Sequence, residues 1–105
     1  MLIQVNTDSN TPGNLETTQG VEALVQDKLS RFAERITRVE IHLNDQNGQG
    51  KIGGNDKRCM IEVRMASMDP INTTDHGDTY DQALRGAADK MQSRIDTILG
   101  KRARS

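Results

Sequence analysis

One cysteine, one phenylalanine, one tyrosine and no tryptophan are all that this 105-residue chain has of the residue types that often anchor small domains. Cys59 alone can form neither an internal disulfide nor a cysteine-only zinc site. With Phe32 and Tyr80 as the only aromatics, the core must be aliphatic and methionine-rich. No apolar run approaches the roughly 20 residues of a membrane-spanning helix. The N-terminus, Met1 to Asn6, lacks the charged region and apolar stretch of a targeting signal, so a cytoplasmic protein is expected. Net charge is also scarce, at −1. That total excludes a uniformly basic protein but not a dipolar one, because a phosphate backbone feels local charge.

The charge is in fact unevenly spread. Residues 85–105 hold Arg85, Lys90, Arg94, Lys101, Arg102 and Arg104 against Asp89 and Asp96, whereas Asp69 to Asp81 is acidic. Two segments pair an apolar stripe with a basic one. In residues 20–38, Val21, Leu24, Val25, Leu29, Phe32 and Ile36 recur at helical spacing, and Lys28, Arg31, Arg35 and Arg38 follow at intervals of three, four and three. In residues 79–101 the apolar positions are Tyr80, Leu84, Ala87, Ala88, Met91, Ile95, Ile98 and Leu99, with Lys90, Arg94 and Lys101 beside them. At about 100° per residue each basic row is turned roughly a quarter-circle from its apolar row. Each helix is expected to dock on a core and present cations beside the contact line.

The remaining elements follow from alternation and turn signals. Leu2 to Thr7 reads as a strand. Residues 8–19 are polar, with a turn at Pro12-Gly13. The first helix is expected from near Gly20 to about Ile36. Val39, Ile41 and Leu43 alternate with Glu40, His42 and Asn44, and Cys59, Ile61, Val63 and Met65 with Met60, Glu62, Arg64 and Ala66, which gives two half-buried strands. The glycine-rich stretch Asp45 to Asp56 between them reads as a long flexible hairpin loop. Ile71 to Asp75 is a weaker, edge-like strand. Thr79 and Gln82 make a capping-box pattern for the second helix, and Gly100 a stop before a basic tail at 101–105. The expected fold is α+β, a single two-layer domain in the order β-α-β-β-β-α. A four-stranded sheet carries both helices on one face and leaves Glu40, His42, Glu62 and Arg64 on the other.

Enzymatic and metal chemistries find little support. Gly48-Gln49-Gly50-Lys51-Ile52-Gly53 matches G-x-G-x-x-G, but a strand follows it where a dinucleotide site needs a helix N-terminus. A plain loop is the better reading, although Lys51, Lys57 and Arg58 are placed to touch phosphate. Asp75, His76 and Asp78 lack a fourth metal ligand and sit where a capping cluster belongs. His42 has no nucleophile beside it in the pattern, and Cys59 is in phase with Ile61 and Val63 as a core residue. No cofactor, metal or catalytic residue is expected. The basic rows have an ordinary reading as solvated flanks, with Asp27–Arg31 and Glu34–Arg38 as i, i+4 pairs. Against it, both helices show the row, and no acid follows Asp96. A sheet without exposed aromatics is unsuited to stacking single-stranded bases. A nucleic-acid partner would be held by phosphate and sugar contacts, with steep salt dependence.

The order β-α-β-β-β-α, with Leu24, Lys28-Leu29 and Phe32 in the first helix, Ile36 then Val39-Glu40-Ile41 and Leu43 at the junction, and Ala83-Leu84, Asp89-Lys90-Met91 and Ile95 in the second, resembles the ribosome hibernation promoting factor family. That family is also known as ribosome-associated inhibitor or sigma-54 modulation proteins. The resemblance covers nearly the whole chain, in the short form that lacks the family's extra C-terminal domain. It implies a non-enzymatic factor that binds the small ribosomal subunit through 16S rRNA, blocks the messenger and transfer RNA channel, and shuts down translation in stress or stationary phase. A monomer is expected off the ribosome, with neither a membrane nor a small-molecule substrate as partner. Lys28 and Lys90 stand at matching family positions. Arg31, Arg35, Arg38, Arg94 and Lys101 join them as expected rRNA contacts by surface position. The sequence departs from the family pattern at Thr79, Asp81 and Arg85, and at Asp96-Thr97-Ile98, where the family has a basic cluster. The alternative is a diverged paralogue that keeps the fold and acts as a regulatory protein-interaction module without ribosome binding.

Overall fold

A computed structural model describes residues 1–7, 15–45 and 57–104, with side chains described for 1–7, 18–45 and 57–100. The elements are β1 (Leu2–Thr7), α1 (Leu15–Lys28), a 3-10 turn (Ser30–Phe32), β2 (Ile36–Asp45), β3 (Lys57–Met65), β4 (Ile71–Gly77) and α2 (Tyr80–Arg104). They form the expected α+β domain. The strands lie in the order β1-β2-β3-β4, with β1 parallel to β2 and the other neighbours antiparallel. The parallel pair requires a crossover, which α1 supplies.

Strand alternation decides the two faces. Val39, Ile41 and Leu43 of β2 and Cys59, Ile61, Val63 and Met65 of β3 point into one core with Val21, Val25, Leu29 and Phe32 and with Ala83, Leu84, Ala87, Ala88, Met91 and Ile95. Burying an aliphatic side chain of this kind contributes about 1.5–3 kcal/mol. Three small alanines and Gly86 let α2 lie close on the sheet. A Cβ at Gly86 would collide with the Asp75 carboxylate, so glycine there permits the close approach of α2 to β4. Burial raises the Cys59 thiol pKa from 9.0 to about 12, which fits an inert core residue.

Three boundary expectations are corrected. The first helix does not run from Gly20 to Ile36. It starts at Leu15, inside the stretch read as polar loop, and ends at Lys28. Leu15, Glu16 and Gln19 are adequate helix formers, but they carry no apolar period to reveal the extra turn. After it, Leu29 and Phe32 are buried by a tight 3-10 turn, with Phe32 N–H donating to the Leu29 oxygen at 3.0 Å. Ile36 then opens β2, opposite Met65. An irregularity between Ile36 and Arg38 puts two buried residues, Ile36 and Val39, three apart. That spacing imitates a helix and conceals the strand. Finally, α2 continues through Gly100 to Arg104. A glycine inside a helix costs only about 1 kcal/mol relative to alanine. The N-terminal signal of α2 does form: Gln82 N–H donates to Thr79 Oγ1 at 3.1 Å, and Gln82 Oε1 accepts from Asp78 N–H at 2.9 Å. The loop expected over 45–56 falls, beyond Asp45, outside the described residues, Lys51 included.

Candidate nucleic-acid interface

The expected first basic row is not one helix flank. Lys28 is the last residue of α1, Arg31 lies in the 3-10 turn, Arg35 between that turn and β2, and Arg38 on β2. Without a continuous helix, the i, i+4 pairs Asp27–Arg31 and Glu34–Arg38 give way to longer-range partners. Lys28 Nζ meets Asp89 Oδ1 of α2 at 2.7 Å, and Arg31 pairs with Asp96 of α2. The Gln92 amide donates to the Lys28 backbone oxygen at 3.2 Å, which satisfies a carbonyl at the C-terminus of α1. Arg31 also lies over the Phe32 ring, 4.9 Å from its centroid. The end of α1 and the turn after it are thus tied to α2 by two ion pairs and a cap.

Arg38 belongs to a different surface. It alternates with Val39, so it lies on the open face of the sheet, where it bonds Gln4 Oε1 and meets Glu40 Oε2 at 3.4 Å. Arg64 completes this patch, 3.5 Å from Glu62 Oε2 and 3.9 Å from Glu40 Oε2. The whole sheet layer separates Arg38 from the helices.

Over residues 89–96 of α2 the two signs of charge lie on different flanks, whereas nearer its start Arg85 pairs with Asp81 on the side toward α1. At about 100° per residue, Asp89 and Asp96 share the flank facing α1, while Lys90 and Arg94 share one turned roughly a third of a circle away, toward β4. Lys90 Nζ donates to the Thr74 backbone oxygen at 3.1 Å and lies 3.4 Å from Asp75 Oδ1. Arg94 is exposed and makes no ion pair among the described residues, and the same holds for Arg35. Lys90 and Arg94 border a shallow groove of about 490 Å³ with Thr73, Thr74, Asp89 and Ser93. Arg94 also borders a second, polar groove beside the β3–β4 turn, with Asp69 and Asn72. The Lys101 side chain, like those of Arg102 and Arg104, lies outside the described residues. Lys101 falls seven residues after Arg94 on the same helix.

Thr73, Thr74 and Ser93, which border the groove, escaped the sequence reading because a polar strand and a helix flank are full of such residues. The pairing of Asp89 and Asp96 with the first basic row escaped for another reason. Their spacing of seven shows that they share a flank of α2, but only the docking angle decides that this flank meets α1.

Asp75, His76 and Asp78 do not converge. Asp75 points to α2, where its carboxylate meets Lys90 and the His76 N–H, while His76 alternates to the open face. Among the described residues no cluster of three metal-ligating side chains forms, and no helix is long and apolar enough to cross a membrane.

Residues 10–103 match the family model described as Sigma 54 modulation protein / S30EA ribosomal protein. The chain belongs to this family. Its members are ribosome-associated modulation factors and not enzymes. Among solved structures, the N-terminal domain of Protein Y from Thermus thermophilus is similar with a TM-score of 0.72 at 16% identity, over 93% of this chain and 99% of that one. A ribosomal subunit interface protein from Coxiella burnetii gives 0.65, also at 16% identity, over 95% and 99%. At this identity the two structures establish the fold of the S30EA-family chain. A search of curated proteins found no match.

Proposed function

We propose that this S30EA-family chain is a cytoplasmic translation inhibitor that binds 16S rRNA of the small ribosomal subunit and blocks the messenger and transfer RNA channel, as part of a stress or stationary-phase response. The observation that carries this reading is the separation of Lys90 and Arg94 from Asp89 and Asp96 over residues 89–96 of α2. Lys90 and Arg94 border one groove with Thr73, Thr74 and Ser93, while Asp89 and Asp96 pair with Lys28 and Arg31 on the other flank; Asp89 also touches the rim of that groove, and Asp75 of β4 pairs with Lys90. The Lys90–Arg94 flank suits phosphate and sugar contacts, which neutralise charge without reading sequence.

The proposed contacts are Arg94, Lys90 and Lys101 of α2, with Arg35, Lys28 and Arg31 from the α1 end. Lys28, Arg31 and Lys90 take part by exchanging a carboxylate for a phosphate, so each adds less than a cation free at the outset. Arg38 is the weakest of the expected set, because it sits on the open face of the sheet. Co-sedimentation with small subunits across a salt series tests the assignment. Replacing Lys28, Lys90 and Arg94 together by alanine should weaken binding and lower the salt slope by roughly one for each phosphate that is no longer neutralised. Unchanged co-sedimentation would remove these residues from the interface.

The carboxylate partners of Lys28, Arg31 and Lys90 favour the second reading, a regulatory module that binds protein. Capture of a partner that persists through RNase treatment and moderate salt would support it over the first.

A further inference from the structure

Arg35, Arg58 and Arg94 are the lysine or arginine side chains that make no ion pair among the described residues. Arg94 is on α2, and Arg35 is on the segment that follows α1. Arg58 stands apart from both, on the face of the sheet that carries no helix. The strand register places it directly between Asn44 of β2 and His76 of β4. His42 lies on the next row of the same face, opposite Met60.

The open face has two unlike halves. Toward one end Arg38, Glu40, Glu62 and Arg64 satisfy one another at 3.4–3.9 Å. Toward the other end stand His42, Asn44, Arg58 and His76, whose side chains make no hydrogen bond or ion pair among the described residues. Asn44 Oδ1 is buried without a partner. The neighbouring acids are engaged elsewhere. Asp45 meets Lys57 and Asp75 meets Lys90 on the helix-bearing face, and Glu40, two residues from His42, lies between Arg38 and Arg64. Asp78 lies past the end of β4, in the turn that caps α2.

This half of the face suits an anion. Arg58 offers a planar fork of N–H donors, each histidine at least one ring N–H, and the Asn44 amide two more. His42, Asn44 and Arg58 are half-buried, so ordering them on a ligand costs less side-chain entropy than ordering an exposed arginine. No aromatic ring is present to stack a base, so the backbone of a nucleic acid is the complementary part. RNA adds ribose hydroxyls to its phosphates, and a hydroxyl is the donor that the Asn44 oxygen lacks.

We infer that Arg58, with His42, Asn44 and His76, forms a second phosphate-binding site on the open face of the sheet, occupied by an rRNA segment other than the one met by Lys90 and Arg94. The inference rests on the ribosomal reading and deepens it. The sheet lies between the two sites, so one segment does not reach both. The domain is then held from two sides, and each contact raises the effective concentration of the other. Arg38 stays outside the second site, paired at the far end of the face.

Co-sedimentation of the full chain with small subunits across a salt series tests this. Arg58→Gln should lower the salt slope by about one unit, and Arg58→Lys should keep most of it. The loss should add to that of Arg94→Ala, because the two cations neutralise different phosphates. A chelated iron on Asn6→Cys, beside His42 in the register, should cleave rRNA by hydroxyl radicals at a segment distinct from the one cut from Ser93→Cys. Cys59 is buried, with its thiol pKa raised to about 12, and leaves the background silent. Circular dichroism checks that each variant is folded. If Arg94→Ala lowers the slope and Arg58→Gln does not, the second site is overturned and the α2 reading stands. The same follows if no rRNA is cut from Asn6→Cys, or if both probes cut one segment. If neither substitution changes the slope, the ribosomal reading falls and the second site with it.

Discussion

The two basic rows of the sequence, one around the end of α1 and one on α2, are of similar size and are used differently. Most cations near the end of α1 are consumed in holding the fold: Lys28 and Arg31 reach across to Asp89 and Asp96, and Arg38 joins the sheet's polar face, which leaves Arg35 without an ion pair among the described residues. On α2, Lys90 and Arg94 lie off the flank that meets α1; Lys90 pairs with Asp75 of β4, and Arg94 has no ion-pair partner among the described residues. The difference follows from length and docking. α2 has 25 residues and lies along β3 and β4, so its two flanks face different neighbours. α1 has 14 and stops where its last residue meets α2. A basic row in sequence is therefore an interface only after its carboxylate partners have been counted.

The largest effect that sharpens this contrast is on stability. Ile95 is fully buried in α2, whereas Leu24 of α1 is half-buried at the margin of the core. Ile95→Ala should cost about 2–5 kcal/mol in urea unfolding. Leu24→Ala should cost clearly less, because its site opens to solvent. Equal losses would mean that α1 anchors the core as firmly as α2 does.

A smaller effect comes from releasing the consumed cations. Asp89→Asn with Asp96→Asn removes the partners of Lys28 and Arg31, whose exposed pairs are each worth about 0–1 kcal/mol. The double variant should stay folded and bind small subunits more tightly, with a steeper salt slope. Weaker binding would show that the acids are needed to aim those cations.

Much of this was legible in the sequence. The strict alternation of Val39–Leu43 and Cys59–Met65 marks two strands and their buried face, and Thr79 with Gln82 marks the start of α2. Periodicity misled at Leu29, Phe32 and Ile36. These residues satisfy the helical interval, but a 3-10 turn and an irregular strand start bury them equally well. Burial constrains which side chains point inward and leaves open how the backbone gets them there. The cations of the candidate site were legible in the sequence, and their pairing was not. Lys90 and Arg94 share a flank by spacing alone, while the Lys28–Asp89 and Arg31–Asp96 pairs span 61 and 65 residues and depend on how the helices dock.

The salt dependence of small-subunit binding, compared between two double variants, tests the central claim most directly. Arg35→Ala with Arg94→Ala removes cations that have no ion-pair partner among the described residues, and Lys28→Ala with Arg31→Ala removes paired ones. The first should lower the slope by about two units and the second by distinctly less. The reverse order, or equal slopes, would contradict the account.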